Sequence, residues 1–220
     1  TVTVTASVTD AAGNTGTGTH NVTVDTGLPS VSFNAISDDN VLNAVEKGQD
    51  LRVSGTSANL AEGTVVAVTL NGKNYTATTA ADGTWSLTVP AADLAGLGEA
   101  NYILSASATN GVGNSVSNTA NLLVDTALPT VTINTVAGDN VINAAEVAAG
   151  QTLSGKVTNA EAGNTVTVTI GGNTYTATVQ SDLTWSVNVP ESVLTALGNG
   201  DLTVSATVTN GHGNTGTGER

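Results

Sequence analysis

Short runs of alternating apolar and polar residues fill this chain, broken at close intervals by glycine, asparagine and aspartate. Val166-Thr167-Val168-Thr169-Ile170 is representative. Successive side chains of an extended strand point to opposite faces, so its valines and isoleucine share one face and its threonines the other. That pattern predicts a strand buried on one side. Gly171-Gly172 then turns the chain, and Tyr175-Thr176-Ala177-Thr178-Val179 brings it back. Asn71-Gly72 holds the same place in an earlier copy. Asn-Gly between alternating strands is a strong hairpin signal, because this turn needs positive φ at both central residues. Further strands are predicted over Val131–Asn134, Leu153–Val157, Trp185–Val189, Leu202–Thr209 and, closing a unit, Asn121–Val124. Residues 191–198 read as one or two helical turns crossing between sheets.

The whole pattern recurs with a period of 100 residues. Asp25-Thr26-Gly27-Leu28-Pro29 returns as Asp125-Thr126-Ala127-Leu128-Pro129, Tyr75 as Tyr175, Trp85 as Trp185 and Pro90 as Pro190. Gly13-Asn14, Gly113-Asn114 and Gly213-Asn214 give three copies at one spacing. A period this long means tandem copies of one folded domain rather than a short-repeat solenoid. Residues 26–125 make one complete unit, and 126–220 a second that is expected to stop before its last strand. Residues 1–25 align without a gap to residues 101–125 and read as the C-terminal strand pair of a preceding repeat. With no Met in the sequence, the chain is expected to be a piece of a longer array, although a cut with units starting near residue 1 remains open. The lone strand pair is expected either to be poorly ordered or to complete a sandwich in a neighbouring molecule. About seven short strands per unit, with frequent turns, predict an all-β fold: tandem immunoglobulin-like antiparallel β-sandwiches of about 100 residues each.

Composition narrows the function. Eighteen Asp and Glu against five Lys and Arg leave a formal charge of −13, the wrong sign for nucleic acid or an anionic membrane. It suits divalent cations. Cysteine is absent, so disulfides and thiolate metal sites are excluded. No apolar run approaches the roughly 18 residues a membrane span needs, so no membrane insertion is expected in this segment. Trp85 and Trp185 alternate inward with Leu87/Val89 and Val187/Val189, and read as core packing, as do Tyr75 and Tyr175. Threonine-rich faces such as Thr1-Val2-Thr3-Val4-Thr5 read as ordinary solvent-facing strand surface. His20 and His212 hold non-equivalent repeat positions and read as solvated loop or edge residues. No nucleophile elbow, phosphate loop or recurring Ser-His-Asp set is present, so an enzyme is not expected.

The chemistry gathers in loops. Asp38, Asp39, Asn40 and Glu46 lie between the first two strands of the first unit, and Asp125 leaves its last strand. In a sandwich those two places lie at the same end, so these groups are expected at the joint with the next unit, facing Asn159-Ala160-Glu161 and Asn210-Gly211. Asp139, Asn140 and Glu146 repeat the set, Gly138 replaces Asp38, and Asp25 matches Asp125. Ca²⁺ takes six to eight oxygen ligands in irregular geometry, which loop carboxylates, amides and carbonyls supply. The bland alternative is that Asp and Asn simply shape turns by bonding local backbone.

Val24-Asp25-Thr26-x-Leu28-Pro29, the Asp39-Asn40 loop ending in Glu46, Asp82-Gly83-Thr84-Trp85-Ser86 and Gly13-Asn14-Thr15 together resemble the bacterial immunoglobulin-like tandem repeats of giant type I-secreted, biofilm-associated adhesins of Gram-negative bacteria. The resemblance covers essentially the whole chain. It implies a structural extender segment of a secreted, cell-surface adhesin, stiffened by Ca²⁺ at its joints and supporting cell adhesion and biofilm formation. The implied partners are adjacent repeats of the same chain, with host or surface glycans or proteins engaged by other regions. The alternative is a glycan- or host-protein-binding immunoglobulin-like module.

Overall fold

The computed structural model describes residues 1–220. In chain order the strands are β1 (Val2–Thr9), β2 (Thr15–Val22), β3 (Ser30–Phe33), β4 (Val41–Leu42), β5 (Leu51–Ala58), β6 (Val65–Leu70), β7 (Lys73–Thr78), β8 (Thr84–Val89), β9 (Ala100–Thr109) and β10 (Ser115–Val124). They continue as β11 (Thr130–Ile133), β12 (Gln151–Thr158), β13 (Thr165–Ile170), β14 (Asn173–Thr178), β15 (Thr184–Val189), β16 (Val204–Thr209) and β17 (Thr215–Glu219). Short helices α1 (Ala91–Leu94), α2 (Ala144–Ala149) and α3 (Glu191–Leu197) connect them. The chain divides into two compact units: Thr1–Asn34, Val53–Leu87 and Ile103–Ala120 form one, and Ala35–Arg52, Thr88–Tyr102 and Asn121–Arg220 the other.

Residues 126–220 lie wholly in the second unit and build a β-sandwich. One sheet runs β11-β12-β15 and the other β14-β13-β16-β17, with antiparallel neighbours throughout. Period-two patterning decides what is buried: Val166, Val168 and Ile170 of β13 are sealed while its threonines are not. Trp185 is the largest fully buried side chain, packed in one cluster with Leu153, Val157, Val189, Ala206 and Val208. Glycine at 155 makes room for it. A Cβ there would stand 1.8 Å from the Thr132 carbonyl oxygen and 2.9 Å from the Trp185 ring. The β13–β14 turn has Gly171 at φ 52° and Gly172 at φ 79°, as the hairpin reading requires.

The first repeat has the same plan, with sheets β3-β5-β8 and β4-β10-β9-β6-β7. In the first unit Trp85 is buried and meets the Phe33 ring edge-on at 5.4 Å, its indole Nε1 donating to the Thr56 carbonyl at 3.2 Å. Tyr75 and Tyr175 are only half-buried. Residues 2–22 form an antiparallel hairpin, paired from Val2↔Val22 to Thr9↔Thr15, in which every residue of both strands is exposed.

The penultimate strand of the second repeat starts at Val204, two residues later than the sequence pattern placed it, and residues 191–198 do carry a helix, α3. Two elements add to the sequence reading. β4 is two residues long and pairs in parallel with Leu123–Val124 of β10. Helix α2 starts at a capping box: the Asn143 side chain accepts from the Ala145 and Glu146 amides, and the Glu146 carboxylate accepts from the Asn143 amide at 2.8 Å.

Candidate functional site at the joints between repeats

Each joint is built from a tight loop between the last two strands of a repeat and the linker that enters that repeat. The loop is the same in three copies. Asp10 accepts from the amides of Ala12 and Asn14, Asn110 from Val112 and Asn114, and Asn210 from His212 and Asn214. A short side chain that bonds backbone two and four residues on is what favours Asp and Asn here. In the two later copies the loop then presents Asn114 and Asn214 to the entering linker.

In the second unit, Asn214 fastens three segments at once. Its Nδ2 donates to the Asp125 carbonyl at 2.8 Å, and its Oδ1 accepts from the Ala44 amide at 2.9 Å. It is 1% exposed, while the Ala44 and Asp125 groups that it bonds are half-buried. Asp125 ends the first repeat and Ala44 belongs to the first repeat's opening loop, whereas Asn214 belongs to the second repeat. The junction is reinforced by the Asp125 carboxylate, whose Oδ2 lies 2.5 Å from His212 Nδ1 and whose Oδ1 accepts from the Ala127 amide. Both Glu99 carboxylate oxygens accept from the Thr126 amide, and the Thr126 hydroxyl donates to one of them. Asn159 Nδ2 holds the Leu128 carbonyl at 3.2 Å.

In the first unit the matching joint is looser. Asn114 Nδ2 shares itself between the Asp25 and Gly27 carbonyls at 3.3 and 3.2 Å, and Asn59 Nδ2 holds the Leu28 carbonyl at 2.9 Å. In the terminal hairpin, Asn14 Nδ2 turns back onto its own loop and donates to Asp10 at 2.9 Å. That bond is one reason the Asp10 carboxyl lies below its ordinary range, together with the Asn14, Ala12 and Gly13 amides.

The residues expected to bind metal are distributed among these turns. Asp39 Oδ1 accepts from the Val41 amide and Asp139 Oδ1 from the Val141 amide. Asn40 Oδ1 accepts from the Ile36 amide, and Asn140 Oδ1 from the Val136 amide and Arg220 Nε. Glu46 and Glu146 cap the Asn43 and Asn143 amides. Asp25 Oδ1 closes onto the Gly27 amide, and Asp38 sits in the left-handed region at φ 63°. The donors are chemically right for Ca²⁺, being all oxygen, but no three His, Asp or Glu side chains gather at one point.

The loops do reach the joint, through Ala44 and Asn43 rather than their acids: Asn43 Nδ2 lies 3.0 Å from where a Cβ on Gly213 would stand. Glu161 accepts from the Gly211 amide, and Asn210 Nδ2 donates to the Asn159 carbonyl, so the facing loops named in the sequence bond to each other. His212 is not a free loop residue, since its ring is engaged by Asp125 at 37% side-chain exposure. His20 lies exposed on β2, as expected. The sequence reading missed Glu99, Asn114 and Asn214 as joint residues. The three Gly-Asn copies were the visible signal for the last two, and Glu99 has none, since Asn199 stands at its repeat position.

No protein-family model and no curated protein matches the chain. Among solved structures it is similar to one that explains host cell surface retention of a 1.5-MDa bacterial ice-binding adhesin, at 31% identity and TM-score 0.58, over 88% of this chain and 62% of that one. A second, a Ca²⁺-stabilized adhesin that helps an Antarctic bacterium reach out and bind ice, is 37% identical with TM-score 0.59, over 99% of this chain and 54% of its own. The chain thus spans a little over half the length of these relatives. A bacterial immunoglobulin-like domain from the M. primoryensis ice-binding adhesin is 36% identical over 45% of this chain and 97% of that domain, with TM-score 0.34 across the pair of chains. With two β-sandwiches and 31–37% identity to ice-binding adhesin structures over 88–99% of its length, the chain belongs to the bacterial immunoglobulin-like tandem repeats of large adhesins.

Proposed function

We propose that this chain is a structural extender segment of a secreted, cell-surface adhesin, holding an adhesive region away from the cell and so supporting adhesion and biofilm formation. The role is non-catalytic and its direct partners are neighbouring repeats. The observation that carries it is the clasp at Asn214, where one buried amide joins the first repeat's opening loop, its last residue and the second repeat's final loop. A stalk needs joints that resist bending, and a buried two-way hydrogen bond between repeats supplies that resistance without a ligand.

Calcium stiffening and type I secretion belong to the same proposal and rest on the likeness to adhesin repeats, one of them described as Ca²⁺-stabilized. Spin labels placed on the two repeats test the extender reading. A narrow distance distribution that broadens in Asn214→Ala is expected, and a distribution already broad in the parent chain would remove it. Repeating the measurement in calcium and in EGTA tests the cation separately. Chelation is expected to broaden the distances and lower the melting temperature, and indifference would leave the clasp as the sole source of stiffness.

A further inference from the structure

A repeat within a chain under tension is pulled at its two ends, so the bonds between its entering segment and its last strand decide how it yields. In the first repeat these bonds fall into two sets along β10. In the first unit, Asn114 Nδ2 donates to the Asp25 and Gly27 carbonyls and Asn118 Nδ2 to the Val31 carbonyl, the last at 3.0 Å. In the second unit, the Leu123 amide donates to the Asn40 carbonyl at 2.9 Å and the Asp125 amide to the Leu42 carbonyl at 3.2 Å, alongside the parallel pairing of β4 with β10. Partner numbers rise together in both sets, so the entering segment and the last strand run the same way.

The second repeat keeps this arrangement with different chemistry. Asn214 holds the Asp125 carbonyl as Asn114 holds that of Asp25. Further along, a Cβ on Gly216 would stand 1.8 Å from the Pro129 oxygen, and one on Gly218 would stand 2.0 Å from the Val131 oxygen. Only glycine lets main chain approach this closely, and its Cα–H then points at the carbonyl, a weak but recurrent hydrogen bond. Residue 218 meets residue 131 as residue 118 meets residue 31. An amide spans the gap in one repeat and bare main chain closes it in the other. The side chains differ at this rung; the contact and its direction do not.

Direction decides how such rungs carry load. Tension draws the first strand toward its N-terminus and the last toward its C-terminus. In a parallel pair these are opposite senses along one line, so the strands must slide and every rung of a set is strained at once. In an antiparallel hairpin the two pulled ends are neighbours, and the rungs break singly. We propose that the parallel contacts between entering segment and last strand are the force-bearing element of each repeat, a lock that resists tension along the chain and opens readily when the same strands are drawn apart from one end. Its use rests on the extender reading; the property itself does not.

Single-molecule pulling on the full chain tests it, and the absence of cysteine lets handles be placed at will. Thr26→Cys with Ala127→Cys loads the first repeat in shear. Val45→Cys with Ala127→Cys draws β4 and β10 apart from their adjoining C-terminal ends. All three side chains are exposed. At one loading rate, the 26–127 pair is expected to rupture at higher force than the 45–127 pair. Forced unfolding follows the unfolding rate, so Asn118→Ala, which deletes one net hydrogen bond, is expected to unfold about fivefold faster under the 26–127 load. The 45–127 pull should change little, since it starts at the other end of β10. Equal rupture forces in the two directions, an Asn118→Ala protein no faster under the 26–127 load, or one equally faster in both would each overturn the proposal. The comparison of directions needs only the handle cysteines, so it decides the matter even where Asn118→Ala fails to fold. A high shear force beside broad spin-label distances would keep the lock and remove the extender; equal forces beside narrow distances would remove the lock alone.

Discussion

Replacing Asn214 by alanine removes the clasp while leaving its loop intact, because the loop is held by Asn210 and by backbone bonds between residues 210 and 214. Two groups lose their partner: the Ala44 amide and the Asp125 carbonyl, both served at under 3 Å by a side chain only 1% exposed. Leaving a buried donor or acceptor unmatched costs about 1–3 kcal/mol each, so the pair would cost about 2–6 kcal/mol if fully buried; because both bonds are part-buried, the expected loss is about 2 kcal/mol. The repeat supplies its own control. Asn14→Ala deletes an exposed bond to Asp10 in the hairpin and should cost less than about 0.5 kcal/mol. Urea unfolding in a Trp85→Phe background lets Trp185 report on the second repeat alone. If Asn214→Ala costs no more than Asn14→Ala, the buried amide does not hold the joint and the reasoning fails.

Gly155→Ala would place a Cβ 1.8 Å from the Thr132 oxygen against the Trp185 ring, and overpacking of this kind against backbone should cost at least about 3 kcal/mol in the same urea experiment. Leu183 holds φ at 63° where the first repeat has Gly83, so Leu183→Gly should raise stability by about 0.5–1 kcal/mol, relief of left-handed strain outweighing the added entropy of the unfolded chain. The Asp182 carboxyl is held below its ordinary 3.8 chiefly by the Thr184 hydroxyl and next by the Thr184 amide. A carboxyl lowered on folding stabilises the fold above its unfolded value, and that contribution disappears as pH falls through the folded one. Thr184→Val should therefore shift the Asp182 titration upward by NMR and flatten the acid end of the stability profile.

The strands were legible because burial imposes a period of two: Val166, Val168 and Ile170 announce β13, and Asn71-Gly72 and Gly171-Gly172 announce the turns. Sequence was silent on β4, since two residues carry no period and the partner strand lies some eighty residues away. It was ambiguous at Glu46 and Glu146. An acid three residues after asparagine is both an oxygen donor and half of a capping box, and only the fold shows the Asn43 and Asn143 amides in its grasp. Asn214 stood out as a repeated residue, but its importance depends on Ala44, brought beside it from 170 positions away. His212 was hidden because the period offers valine at its matching position, Val112.

Because the Ala44 amide is satisfied by a residue of the following repeat, the two modules are expected not to melt as independent beads. Unravelling either one strips the other of a bond, so a string of such modules carries a nearest-neighbour coupling term, and those at its ends, having one neighbour each, are the first to fray.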